Sequence, residues 1–312
     1  GLGAIGGRGS PGHGLPPSRS MAITFDDLPT TSVVAQDDQR REALTDRLLG
    51  GITRQQVPAI GFVNENRLFA DGRLVPRRVA LLQRWVAGGL ELGNHTYAHT
   101  DLHLTPLADF ERDVLLGEAI TRPLLAKFGQ TPRYFRHPFL HTGRDLATKR
   151  ELEQFLQQHG YRVAPVTIDN YDYLFAAAYD RTLERGDSSA ARTIAESYLE
   201  YMLRVVEYYE GQSRALLGRE IPQVLLLHAN WLNATHLDGL VEALRARGYG
   251  FITLDSALAD SAYRSRDEYV GPAGITWLHR WALSGGKTGS FFAGEPEVPE
   301  AIRVAAQARQ LP

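Results

Sequence analysis

Met21-Ala22-Ile23-Thr24-Phe25-Asp26-Asp27-Leu28 is the stretch from which the fold can be read. Its apolar run reads as a short buried strand, and it stops at two adjacent carboxylates followed by Leu28-Pro29, where the missing amide proton cannot extend a ladder. Side chains alternate between the two faces of a strand, so Asp26 and Asp27 serve one site only if the chain bends there, as a strand-to-loop junction allows. One carboxylate is then free to hold a cation while the other handles a proton. An isolated Asp-Asp pair can equally be an acidic turn or a helix N-cap, so other stretches decide.

The deciding stretch is Glu91-Leu92-Gly93-Asn94-His95-Thr96-Tyr97-Ala98-His99-Thr100-Asp101. His95 and His99 are spaced to project from one face of a helical turn, and with one carboxylate they make a set of two imidazoles and an acid suited to a divalent ion. Alone, such a pair also occurs on solvated helix faces. Following a strand that ends in Gly93-Asn94, and combined with strand-end acids, it points to metal.

Composition narrows the field. The chain has 312 residues, and its 34 basic and 36 acidic side chains leave a net charge of -2, no footprint for nucleic acid or an anionic membrane. No apolar run approaches the roughly 20 residues of a membrane span. The absence of cysteine removes disulfides and thiolate ligands and leaves histidine and carboxylate. Residues 1–20, rich in Gly, Pro and Ser, lack the basic and apolar regions of a signal peptide and read as a flexible leader.

Helical and strand patterns then alternate. Helices are expected over 36–55, 77–87, 105–128 (capped by Thr105 and kinked near Pro123), 145–159 and 237–247, and strands over 58–64, 90–93, 132–136, 161–168, 224–227 and 249–254. Parallel strands deliver functional groups at their C-terminal edge, where the acids, His95, Arg136, Asp169 and His228 all fall. The expected fold is α/β, a distorted (β/α) barrel of about seven parallel strands with a helical insertion, about 179–217, before the last catalytic strand. The insertion's stripe of Ile194, Tyr198, Tyr201, Met202, Val205, Val206 and Tyr209 either packs on the barrel or lines a cleft with its tyrosines. Residues 261–312, with Trp277, Trp281, Phe291 and Phe292 among glycines, read as an irregular extension packed across the barrel.

Thr24-Phe25-Asp26-Asp27, His95-Thr96-Tyr97-Ala98-His99, Arg136-His137-Pro138-Phe139, Asp169-Asn170-Tyr171-Asp172-Tyr173 and Leu225-Leu226-Leu227-His228 resemble, in order, the motifs of the NodB-type polysaccharide deacetylases, carbohydrate esterase family 4. The resemblance spans about residues 21 to 260. It implies that Asp27, His95 and His99 hold a divalent ion, zinc being expected and cobalt or nickel the alternatives. It makes Asp26 the general base, with Arg136 keeping it ionised, and His228 the general acid, supported by Asp172. The Phe139 backbone N–H becomes an oxyanion donor, and Leu226 and Tyr173 the walls of an acetyl pocket. The implied activity is hydrolysis of N-acetyl groups on an amino-sugar glycan such as peptidoglycan or chitin, outside the cytoplasm, with an O-acetyl esterase, a small-amide amidohydrolase or a non-catalytic glycan-binding protein as alternatives. Leu140, Tyr173 and Ala229-Asn230 depart from the pattern and bear on substrate more than on reaction. His103, His137 and His141 are expected to be polar surface.

Overall fold

The computed structural model describes residues 18–307. One parallel sheet contains β1 (Arg19–Leu28), β2 (Ile60–Val63), β3 (Glu91–Asn94), β4 (Tyr134–Phe135), β5 (Arg162–Val163), β6 (Gln223–His228) and β7 (Tyr249–Phe251). Its order is β5-β4-β3-β2-β1-β6, with β7 joined to the start of β1. Around it run α1 (Asp38–Arg54), α2 (Pro76–Ala87), α3 (Leu107–Leu116), α4 (Thr121–Ala126), α5 (Leu146–Gln158), α6 (Asp172–Glu184), α7 (Ser188–Leu217), α8 (Trp231–Ala246), α9 (Leu254–Leu258), α10 (Trp277–Ser284) and α11 (Glu300–Gln307). This is the expected distorted (β/α) barrel.

Residues 162–168 close the sheet on itself. Arg162 and Val163 pair with Tyr134 and Phe135 at one edge, and the amides of Thr167 and Ile168 then donate to the Val224 carbonyl at the other. The single strand expected over 161–168 is therefore split: Pro165, which has no amide proton, sits at the crossing between the two edges. β1 starts at Arg19 rather than Met21 because Arg19 and Ser20 pair with Tyr249 and Gly250.

The two faces of β1 follow the strand period. Met21, Ile23 and Phe25 point outward into the larger core under the helices, where Phe25 meets Trp85 edge-on at 5.9 Å. Ala22 joins Ile60, Phe62, Tyr134, Ala164 and Val224 in a second core inside the barrel, plugged at its base by Leu254, Ala257 and Leu258 of α9. Thr24 and Asp26 continue the inward row toward the C-terminal edge, so the alternation that fills the barrel also aims a carboxylate at its mouth. A Phe25→Ala change on the outer face removes a fully buried ring and is expected to cost about 3–5 kcal/mol.

Three elements differ from their expected form. The single helix over 105–128 is two, α3 and α4. Gly117 lies against the Thr96–Tyr97 backbone, where a Cβ would come within 2.7–2.9 Å of its neighbours, and the Glu65 carboxylate accepts the Ile120 and Thr121 amides as the helix restarts. Pro123 then falls in the first turn of α4, where its missing donor costs nothing, rather than at a kink. In the insertion, Tyr198, Tyr201, Met202, Val205, Val206 and Tyr209 are almost wholly buried, and Tyr198 donates to Asn233 Oδ1 at 2.5 Å. The stripe packs on the barrel, and none of its tyrosines lines the cleft. The extension is not irregular: α10 packs on α7 and α11 on α6, with Trp277 and Trp281 buried.

Candidate active site

The bend required of Asp26 and Asp27 is present. β1 shifts register against β2 between Phe25 and Leu28, and Asp27 takes a left-handed φ of 65°, which turns its carboxylate to the side already faced by Asp26. Both are buried, and Asp26 lies opposite His228 across the β1–β6 pairing. Arg136, fully buried at the end of β4, donates from Nη1 to Asp26 Oδ1 at 2.9 Å, from Nη2 to Thr24 Oγ1 at 3.0 Å and from Nε to the Ala164 carbonyl at 2.9 Å. Its guanidinium also lies 4.5 Å from the centre of the Phe62 ring. Burial pushes the Asp26 carboxyl above its ordinary pKa, while Arg136 and His228 pull the other way.

His95 and His99 converge with Asp27 by a route other than the expected helical turn. They follow β3 in a loop with Thr96 at φ 66° and His99 at φ 55°. Side chains from three elements hold it: Asn94 Oδ1 accepts the Thr96 amide, Asn64 Nδ2 donates to the His95 carbonyl at 2.6 Å, and Asp113 Oδ2 accepts from Thr100 Oγ1 at 2.7 Å. The rings stand edge to face, 4.8 Å apart, and each Nε2 lies 3.6 Å from Asp27 Oδ1.

The residues present fit a divalent cation. Asp27 Oδ1 is buried with no hydrogen-bond partner, an expensive state for a carboxylate oxygen unless a cation meets it. His95 Nδ1 lies 2.7 Å from the Arg136 carbonyl; donating there, it leaves the Nε2 lone pair toward Asp27, as metal-ligating imidazoles are commonly oriented. Burial lowers both imidazoles to about 4, so both are neutral acceptors at neutral pH. Burial acts to raise the Asp27 carboxyl, yet Arg67, with Nη2 at 3.5 Å, and nearby imidazoles hold it at about 2.

On the opposite wall, Asp172 opens α6 and is fully buried. Its Oδ1 lies 2.7 Å from His228 Nδ1, and its Oδ2 accepts from the His228 amide and from Asn233 Nδ2, each at 2.8 Å. Burial opposes a charged imidazole, but Asp172 prevails and raises His228 to about 10. Tyr173 stands edge-on to His228 at 6.1 Å, and Leu226, whose carbonyl accepts from Asn170 Nδ2, is buried beside them.

Asp26, Asp27, His95, His99, Phe139, Tyr173, Leu226 and His228 line one cleft of about 550 Å³, with Arg136 and Asp172 directly behind it. Phe139 packs edge-on to His99 at 4.6 Å. Thr24, Asn64 and Asn233, which hold the working side chains, were not anticipated, nor was Gly274 from the extension, which also lines the cleft. Asn170 lay within a quoted motif and Thr24 within another, the only signals available.

His137 and His141 line the cleft instead of lying on polar surface. His103 stacks on His141 at 3.9 Å, and with Asp101 they form a second cluster of metal-ligating residue types. His103 Nε2 accepts the Gly143 amide and Nδ1 faces the Pro272 carbonyl, so both of its ring nitrogens are already engaged by backbone.

A family model described as polysaccharide deacetylase matches residues 13–164, the stretch carrying Asp26, Asp27, His95, His99 and Arg136. The chain is 24% identical over 241 residues to a chitin deacetylase of Colletotrichum lindemuthianum, covering 77% of this chain and 80% of that protein. It is 30% identical over 122 residues to a chitooligosaccharide deacetylase of Bradyrhizobium sp. (strain ANU 289), covering 39% and 47%. The solved structure of the Colletotrichum chitin deacetylase covers 79% of this chain and 91% of its own, with a TM-score of 0.51 at 23% identity. No helix among the described residues is long and apolar enough to cross a membrane. With its motifs at the strand ends of one barrel, the chain is similar to the polysaccharide deacetylases, over residues 13–164 by the family model and over 77% of its length by the Colletotrichum relative.

Proposed function

We propose that this protein removes N-acetyl groups from an amino-sugar glycan of the peptidoglycan, chitin or chitooligosaccharide type, using a divalent ion held by Asp27, His95 and His99. The observation that carries the reading is the orphaned, buried Asp27 Oδ1 facing two neutral imidazoles, between a carboxylate–guanidinium pair and a carboxylate–imidazole pair. The two-nitrogen, one-oxygen set suits zinc, with cobalt or nickel as alternatives. When bound, such an ion supplies Lewis acidity toward the attacking water and the acyl oxygen.

The chain's own groups then divide the proton work. Asp26 takes a proton from the water as its oxygen bonds to the acyl carbon, and Arg136 holds the carboxylate in place. Its burial-raised pKa makes it a stronger base than an exposed aspartate. The Phe139 N–H donates to the developing oxyanion. His228, fixed through Nδ1 by Asp172, gives its Nε2 proton to the departing nitrogen as the C–N bond breaks, leaving acetate and a free amine. Leu226 and Tyr173, which line the same cleft, are assigned to the wall that meets the acetyl methyl.

The test is acetate release from N-acetylglucosamine oligomers and from acetylxylan, side by side, with chelator-stripped protein reloaded with zinc or cobalt. Metal-restored release from the amino sugar is expected. Release from xylan alone would reassign the protein as an esterase, and silence on both with metal bound would remove the glycan reading.

A further inference from the structure

We infer that the C-terminal segment around α10 clamps the loop bordering the acyl site, with Arg280 as the positioning residue that holds Phe139 and Leu140 in place. The inference rests on the reading of the Phe139 N–H as oxyanion donor. Phe139 and Leu140 are consecutive non-glycine residues in the left-handed region, at φ 57° and 54°. Such backbone persists only where its surroundings over-determine it. Part of the constraint is local: the amides of Leu140 and His141 donate to the His137 and Pro138 carbonyls, each at 3.1 Å.

The rest comes from α10. Arg280 is fully buried, and its guanidinium donates to the Leu140 carbonyl, to Thr142 Oγ1 at 2.6 Å and to the Ile275 carbonyl at 3.0 Å. The rings of Trp277 and Tyr269 lie 4.4 and 5.1 Å from it. Among the described residues it makes no ion pair, so carbonyls, a hydroxyl and two rings replace its water. No carboxylate is hydrogen-bonded to this buried cation, and what it grips is the carbonyl of the second left-handed residue, Leu140, and the Thr142 hydroxyl beyond it. The planar fork reaches both acceptors at once, which the single ammonium of lysine does not.

The grip has a second jaw. Gly274 lies directly on the Phe139 carbonyl, where a Cβ would stand 1.8 Å from the oxygen. The clamp is also tied to the barrel, because the Trp277 amide donates to the Val166 carbonyl in the segment that closes the sheet. A displacement of either jaw moves the Phe139 peptide relative to the acyl site, while Arg280 itself makes no hydrogen bond or ring contact with Asp27, His95 or His99.

Arg280→Lys and Gly274→Ala test this, each read for acetate release from N-acetylglucosamine oligomers, bound zinc, thermal unfolding and affinity for a tetrahedral phosphonate analogue of the N-acetyl sugar. The expected result is a fall in kcat of about 10- to 100-fold with KM and bound zinc unchanged, and a parallel loss of analogue affinity. Amide exchange across residues 137–143 should quicken in Arg280→Lys. Unchanged kcat in both variants would overturn the clamp. So would a loss that tracks zinc content and cooperative unfolding, which marks Arg280 as a general stabiliser. An inactive wild type with zinc bound would defeat the functional reading alone; unaltered exchange over 137–143 in Arg280→Lys would then overturn the clamp itself.

Discussion

Asp26 and Asp172 are both buried carboxylates facing a cation across the cleft floor, at 2.9 Å from Arg136 and 2.7 Å from His228. They do opposite things because their partners differ. Arginine does not give up its proton at accessible pH, so in the first pair the carboxylate is the member left to titrate, and burial makes it more basic. Histidine can, so in the second pair the imidazole is the mobile member, carried up to about 10. The remaining contacts follow the same division. Both oxygens of Asp172 are occupied by donors, two of them from His228 itself, whereas the donor on Asp26 is Arg136 at Oδ1, and Oδ2 points toward His95 Nε2 at 3.6 Å. A saturated carboxylate orients its neighbour; one with a free oxygen is available for proton transfer.

Breaking the first pair should have the largest effect. Asp26→Asn is expected to lower kcat/KM by about 10³- to 10⁴-fold with bound zinc unchanged, and full activity in that variant would end the assigned role. His228→Ala should lower release from an N-acetyl sugar by about 10²- to 10³-fold while barely affecting an acetyl ester, whose alkoxide leaves with less help. Equal losses on both substrates would remove the acid role.

Asp172→Asn sharpens the contrast through pH. His228 has a raised folded-state pKa, so its charged form persists through neutrality and is lost as pH rises through about 10. Activity should therefore fall on the alkaline side near that value, and Asp172→Asn should move the fall down toward the ordinary imidazole range, about 6.5. The stability from the pair should be full below that ordinary value and decline between it and about 10, measurable by denaturant unfolding of metal-free protein. An alkaline limb left in place by Asp172→Asn would detach it from this pair. Smallest is Thr24→Val, which leaves one Arg136 N–H without its acceptor and should lower unfolding free energy by about 1–3 kcal/mol.

Much of this was legible because a parallel barrel puts reactive groups where apolar runs stop: Asp26, Arg136 and His228 end strands in sequence as in space. The helix expected at His95–His99 was not, since spacing alone does not distinguish a helical turn from a loop carrying two left-handed residues. That loop is set by Asn64, Asn94 and Asp113, which arrive from distant parts of the chain. Pro123 suggested a kink in one long helix, but Gly117, by its contact with the Thr96 backbone, set the break. Asn233 and Arg280 carry no local signature; their roles follow from what folding brings beside them.

The place of β6 beside β1 has a consequence for synthesis. Thr24 Oγ1 donates to the Leu225 carbonyl 201 residues further along, and Asp26 pairs in register with His228. A ribosome has therefore made the entire proposed ligand set by His99 while one flank of the first strand is still bare. Contacts this distant close late and slowly, and an unpaired strand edge attracts neighbours. Nascent chains stalled before Gln223 should thus hold every proposed ligand and be prone to aggregate, and the arrival of β6 marks the moment at which His228, the proposed acid, joins the proposed metal site.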